Sequence, residues 1–306
     1  MAMAGNPLPY FQSDLLTGNL ELLARQLVEG FITGLHKSPY HGFSVEFAEH
    51  RLYNEGESTR HIDWRVYART DRLYTKQYEE ETNLRALLIL DVSPSMFYPE
   101  GSKAKIRFSV VAAAALIHLL YRQRDAAGLC LFSDVIHTLT PVKSTAAHRQ
   151  KMMNELQELL NKPVNPHPTH VAAVLHEVAE KIHRRSLIML FSDMFDSENP
   201  DELFKALQHL KHNRHEVIVF HVSDYETELE FAFADRPTEF IDLERNEKIR
   251  LNPAEIRDSF RKEASSFYQQ IKMRCNQYKI DFVPCDVRQD VRTTLQTFLI
   301  KRSRMH

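Results

Sequence analysis

The chain has 306 residues, enough for one large α/β domain or for one domain with a small appendage. Its 39 basic and 41 acidic residues leave a net charge of −2, which excludes a general positive field that would attract nucleic acid or anionic lipid. The three cysteines form no CxxC pair, which indicates a reduced, intracellular protein.

The first 84 residues predict a helix followed by a small β-rich appendage. Residues 15–35 carry apolar side chains at helical spacing. The segment 42–82 is rich in Tyr, Val, Arg and Glu and predicts two or three strands, with the clearest turn at 54–57. His61 and Asp63 are expected on one face of a strand, where a His–Asp hydrogen bond could orient a base, but no nucleophile motif accompanies them.

From residue 85 onward, apolar strands alternate with helices. The strands are predicted at 86–93, 127–134, 135–140, 186–193, 216–224 and 279–286, and the helices at 104–124, 145–160, 169–184, 200–212, 253–277 and 289–303. Strands that are apolar throughout are buried on both faces, so this alternation predicts a doubly wound, mostly parallel six-stranded sheet.

Two segments depart from the parallel pattern. The strand at 135–140 follows its neighbour with almost no loop, so it must run antiparallel, at an edge of the sheet. The polar stretch 233–251 predicts a β-hairpin insertion outside the sheet. We therefore expect a helix and β-rich appendage over 1–84 and an α/β domain over 85–306.

No segment predicts a membrane span or a signal peptide. The most apolar run, 110–121, is shorter than the roughly 18 residues that a span requires. The N-terminus lacks a basic region followed by an apolar core. We expect a cytoplasmic location.

Three oxygen-bearing side chains follow the first strand of the predicted sheet. Asp91, Ser93 and Ser95 occupy alternating positions where that strand enters its loop. Ligands of doubly wound sheets collect at the carboxyl ends of the strands, close to the switch in strand order. Carboxylate and hydroxyl oxygens suit a hard cation such as Mg²⁺ or Mn²⁺, which residues from other strand ends would help to enclose.

Three Ser-Asp pairs stand at other strand ends, and their contexts select one of them. Asp134 runs directly into the next strand, so a hairpin turn explains it. Asp224 is followed by a loop, but its strand should lie one position further from the first, and strands are about 4.8 Å apart. Asp193 precedes a loop and a helix, the geometry that the site requires. Thr169 opens the preceding helix, where it is either an N-cap, a metal ligand or both.

The residues Asp91, Ser93, Ser95, Thr169 and Asp193 together resemble the metal-ion-dependent adhesion site of von Willebrand factor A domains. The segment 38–96, with its core HIDWRVYARTDRLYTKQYEEE, is similar to the bacterial family of domain of unknown function 58, and this similarity runs from about residue 35 to the C-terminus. The resemblance implies a von Willebrand A-like, Rossmann-like sheet of strand order 3-2-1-4-5-6. It also implies a non-enzymatic protein–protein interaction module that acts as adaptor or co-chaperone of a MoxR-type AAA+ ATPase.

Two other functions remain open at this point. The first is a Mg²⁺-dependent hydrolase or phosphatase with Asp91 as nucleophile; however, Ser93 stands where such Asp-x-Asp motifs have their second carboxylate, so we predict no catalytic residue. The second is a metal-dependent docking module for an intracellular protein other than an ATPase. There is no GxGxxG or P-loop motif, which argues against a phosphate-binding loop. We expect no small-molecule substrate.

Overall fold

A computed structural model describes residues 19–32, 45–52, 63–80, 84–99, 101–161, 171–183, 185–195, 200–243 and 247–303. The chain divides into two compact units. One consists of residues 38–84, and the other of residues 1–37 together with 85–306.

The N-terminal helix belongs to the larger unit. Helix α1 (Leu20–Ile32) buries Leu23 and Leu27 completely. The backbone N–H of Leu20 donates to the Gln157 side chain over 3.3 Å, and Glu21 pairs with Arg149. The prediction that this helix belongs with the appendage is therefore wrong, because its apolar stripe is covered by helices of the α/β unit.

In its described residues, the smaller unit contains two antiparallel strands and a short helix. Strand β1 (Val45–Leu52) pairs with β2 (Tyr74–Glu80), and α2 (Trp64–Thr70) lies between them in the chain. The Asp63 carboxylate accepts hydrogen bonds from the N–H groups of residues 65 and 66, which caps the helix. The strand predicted around Asp63 is therefore wrong. His61 and the turn at 54–57 lie outside the described residues.

The larger unit is built on a six-stranded sheet. Its strands in chain order are β3 (Arg85–Asp91), β4 (Ala126–Phe132), β5 (Ile136–Leu139), β6 (Leu187–Ser192), β7 (Glu216–Ser223) and β10 (Asp281–Asp286). Between β7 and β10 in the chain, β8 (Thr238–Ile241) and β9 (Lys248–Leu251) form a separate antiparallel hairpin. The spatial order is β10-β7-β6-β3-β4-β5, and only β5 runs antiparallel. Counted along this sheet alone, the order is 3-2-1-4-5-6 with the antiparallel strand at an edge, which confirms the predicted fold.

Helices cover the sheet. In chain order they are α3 (Ala104–Arg122), α4 (Ala146–Asn161), α5 (Val171–Lys181), α6 (Pro200–His212), α7 (Pro253–Gln277) and α8 (Val291–Ser303). Leu87 and Ile89 of β3 belong to a core that also takes in α5, α6 and the C-terminal half of α7. The intervening side chains of β3 are buried as well, and α3 packs on β3, β4, β7 and α8.

Among the described helices, α3 is long and apolar enough to cross a membrane. However, 78% of its most apolar window is buried inside the protein. Its apolar surface is therefore covered by the sheet and by neighbouring helices.

Candidate metal centre at the carboxyl edge of the sheet

The loop after β3 folds back on the carboxylate that ends the strand. Asp91 is fully buried, and its Oδ1 accepts a hydrogen bond of 2.9 Å from the backbone N–H of Ser93. The Oγ atoms of Ser93 and Ser95 are 3.0 Å apart. A short 3₁₀ turn then begins at Pro94, and Ser95 is its second residue. The alternating spacing therefore brings the three oxygen-bearing side chains together, as the sequence predicts.

The adjacent strand β6 brings a second carboxylate to the same edge. Because Leu90 pairs with Phe191, Asp91 lies level with Ser192, whose Oγ donates to Asp91 Oδ2 over 2.7 Å. The next residue, Asp193, is buried and accepts hydrogen bonds from the Ser95 side chain and from the backbone N–H of Phe195, the latter at 3.1 Å. Four of the five predicted site residues thus meet in one network.

The fifth predicted residue, Thr169, lies outside the described residues. The two competing aspartates are engaged elsewhere. Asp134 follows β4 directly at the hairpin to β5 and accepts a hydrogen bond of 2.8 Å from Ser133 Oγ. Asp224 follows β7, and its carboxylate accepts a hydrogen bond of 3.0 Å from Arg288 Nε.

Two charged residues that sequence reasoning missed complete the surroundings. Lys105, in the first turn of α3, is only 1% exposed, and its Nζ donates to Asp193 Oδ2 over 2.9 Å and also to Glu228. Glu228 belongs to a π-helical turn, Tyr225–Leu229, that follows β7. One signal in the sequence could have identified Lys105. It lies four residues before Ser109 on a helix whose side chains are apolar on almost every face, which predicts that the lysine is buried and needs a carboxylate partner.

Burial and mutual repulsion govern the two aspartates. Burial, together with the charge of Asp193, raises the pKa of Asp91 to about 7, against the opposing effect of the hydrogen bonds from Ser93 and Ser192. Burial alone would also raise the pKa of Asp193, but the Lys105 ammonium and the hydrogen bonds to this carboxylate lower it below its usual range. Asp193 is therefore the ionised member of the pair at neutral pH, and Asp91 takes up a proton readily.

The same charges act on the neighbouring groups. Burial would lower the pKa of Lys105, but Asp193 and Glu228 together raise it, so this ammonium stays protonated. Burial raises the pKa of Glu228. Burial also lowers the pKa of His221, on β7, to about 4, so its ring is neutral. Two carboxyl groups, those of Asp193 and Glu228, thus contact one buried ammonium, and Asp91 acts on Asp193 from the neighbouring strand β3. The three carboxyl groups and the single ammonium leave an excess of negative charge when all are ionised.

The donor set fits a hard cation. Asp91 and Asp193 offer carboxylate oxygens, and Ser93 and Ser95 offer hydroxyl oxygens, which is the ligand chemistry of Mg²⁺ and Mn²⁺. A cation would also relieve the cost of ionising Asp91 beside Asp193. Within the described ranges, no group of three or more His, Cys, Asp or Glu side chains could hold a metal ion, so a cation at this edge would need the serine hydroxyls as ligands.

Comparison with known proteins identifies relatives of unknown function. Uncharacterized proteins of Mycobacterium bovis and Mycobacterium tuberculosis are 26% identical over 205 residues, which span 67% of this chain and 63% of each relative. The chain therefore spans a little less than two thirds of the length of these relatives.

Solved structures show weaker similarity. BatB from Bacteroides thetaiotaomicron is 13% identical with a TM-score of 0.39, covering 72% of this chain and 99% of that one. A von Willebrand factor type A protein from Catenulispora acidiphila is 14% identical with a TM-score of 0.35, covering 62% and 43%. Similarity at this level carries no argument about function. The family model described as protein of unknown function DUF58, in contrast, matches residues 49–269, and this chain belongs to that family.

Proposed function

We propose that this chain is a non-enzymatic, metal-dependent protein–protein interaction module. Asp91, Ser93, Ser95, Thr169 and Asp193 would hold one Mg²⁺ or Mn²⁺ ion. The observation that carries the proposal is the convergence of Asp91, Ser93, Ser95 and Asp193 from two adjacent parallel strands. Thr169 is included on the resemblance to adhesion-type metal sites.

In this proposal, hydrogen bonds within the protein hold the metal ligands in position before an ion binds. The Ser93 N–H and the Ser192 hydroxyl hold the two oxygens of Asp91, and the Phe195 N–H holds one oxygen of Asp193. Buried ligands with fixed orientation lose little freedom when they bind an ion. When bound, the cation would offer an open coordination position to a carboxylate of another protein.

The partner in this proposal is a MoxR-type AAA+ ATPase, for which the chain serves as adaptor or co-chaperone in the cytoplasm. Family membership and the resemblance of the metal-site residues support this choice. The runner-up partner is another intracellular protein that docks through the same ion without any ATPase. Both partners require a carboxylate that reaches the carboxyl edge of the sheet.

The hydrolase alternative is disfavoured by the state of Asp91. Both of its oxygens accept hydrogen bonds, it is fully buried, and its raised pKa makes it partly protonated at neutral pH. A Ser–His contact does exist between Ser133 Oγ and His137 Nε2, at 2.7 Å. However, the carboxylate beside it, Asp134, accepts a hydrogen bond from the serine itself, whereas a charge relay requires a carboxylate that orients the histidine.

Recovery of partners from the native cell tests the proposal. The wild-type chain in Mg²⁺ should retain the ATPase, and both EDTA and Asp91→Ala should release it. The matched control is Asp134→Ala, which removes a carboxylate from the edge of the same sheet but from a hairpin turn, and it should retain the partner. Equal recovery in all samples would show that recruitment does not depend on the metal.

A further inference from the structure

The buried ammonium of Lys105 contacts the same carboxylate, that of Asp193, that a bound metal ion would contact. Lys105 Nζ is 2.9 Å from Asp193 Oδ2, one of the two carboxylate oxygens available to an ion, while the other accepts the Phe195 N–H. A fully buried lysine is rare unless it is paired, and here it is paired with two carboxylates. The protein therefore already supplies Asp193 with one positive charge.

We propose that Lys105 is a positioning residue that competes with the divalent cation for Asp193 and so sets the affinity of the site. In the metal-free protein the ammonium neutralises Asp193 and keeps it in place. When the ion binds, Asp193 turns to it and Lys105 remains paired with Glu228 alone. This inference rests on the proposed metal site.

Electrostatics gives the direction of the effect. An ammonium a few ångströms from a divalent ion repels it, and in a buried site solvent screens this repulsion poorly. Glu228 counteracts the repulsion because it offers Lys105 a second carboxylate after it leaves Asp193. Removing Lys105 and Glu228 together deletes one positive and one negative charge, so the net charge of the surroundings is conserved. The metal ion then no longer has a competitor for Asp193.

The contacts of Glu228 indicate which segment of the protein should change when the metal ion binds. Its second oxygen accepts the backbone N–H of Asp224 over 2.9 Å, and the Asp224 carboxylate in turn binds Arg288. Because Glu228 belongs to the π-helical turn Tyr225–Leu229, a stronger Lys105–Glu228 pair should make this turn more rigid. Amide exchange in this turn should slow when the ion binds.

Calorimetric titration with Mg²⁺ tests the inference on the full chain. Lys105→Met/Glu228→Gln should bind Mg²⁺ at least about tenfold more tightly than the wild type. The matched control Lys103→Met removes a lysine two residues away whose ammonium lies 5.6 Å from the Phe97 ring centre, and it should bind like the wild type. Glu228→Gln alone leaves Lys105 with Asp193 as its single carboxylate partner and should bind several-fold more weakly.

The outcomes separate this inference from the proposed function. Equal or weaker Mg²⁺ binding by the double variant, with normal binding by the wild type, overturns the role of Lys105 and leaves the metal site intact. If the double variant does not fold, unchanged binding by Glu228→Gln overturns the inference in its place. If no protein binds Mg²⁺, the proposed metal site itself is wrong.

Discussion

Asp91→Asn should stabilise the metal-free protein at alkaline pH. The pKa of Asp91 is about 7 in the folded protein, against 3.8 for an ordinary aspartate, so the folded state holds this proton more tightly than the unfolded state. The stability that this proton provides is fully present below about pH 4 and is lost as the pH rises through about 7. A difference of about three pKa units at about 1.4 kcal/mol each sets an upper limit near 4 kcal/mol. Because Asp91 and Asp193 repel each other, we expect a gain of about 2–4 kcal/mol at pH 8.

Urea unfolding in EDTA at several pH values between 4 and 8 measures this effect. Asparagine keeps an acceptor for Ser93 or Ser192 but carries no charge, so the variant and the wild type should converge near pH 4 and diverge as the pH rises. Mg²⁺ should stabilise the wild type and not the variant. A variant less stable than the wild type at pH 8, or one with the same pH slope, would refute the account of Asp91 as a destabilising buried charge.

Three further predictions concern the metal and the partner. Because a proton competes with the ion for Asp91, the Mg²⁺ affinity of the wild type should fall about tenfold from pH 8 to pH 6 in calorimetry, and a constant affinity would contradict the raised pKa. Phe195→Ala should weaken partner binding by about 1–3 kcal/mol in a titration, since this ring is 58% exposed beside Asp193, while Mg²⁺ binding should stay within about twofold. Thr169→Val should weaken Mg²⁺ binding in calorimetry if the hydroxyl is a ligand, whereas unchanged affinity would assign Thr169 to helix capping alone.

Most of the sheet could be predicted because its signals are local. The strands β3, β6 and β7 are apolar at consecutive positions, and α7 was predicted over the same residues, 253–277, that the structure shows. The short gap before β5 forced an antiparallel neighbour. In the smaller unit the prediction failed at Asp63, where a side-chain cap that satisfies two backbone N–H groups favours a helix over a strand.

The candidate site could be predicted only in part. Asp91, Ser93 and Ser95 are close in the chain, and the choice of Asp193 followed from strand adjacency. Lys105 and Glu228 are 123 residues apart, and their contact depends on how α3 and the turn after β7 pack on the same edge of the sheet. Charge pairing over such a separation leaves no periodic pattern in the sequence. It must be read from the packed structure.

Mg²⁺ titration of the Asp193 and Asp134 variants is the sharpest test of a metal centre at the carboxyl edge of the sheet. Both aspartates end the tetrapeptide Leu-Phe-Ser-Asp at the end of a strand of the same sheet, but only Asp193 contacts Lys105 and lies beside Asp91. We expect that Asp193→Asn abolishes the calorimetric signal and that Asp134→Asn leaves it unchanged. Equal binding of Mg²⁺ by the wild type and Asp193→Asn would contradict a metal centre at this edge of the sheet.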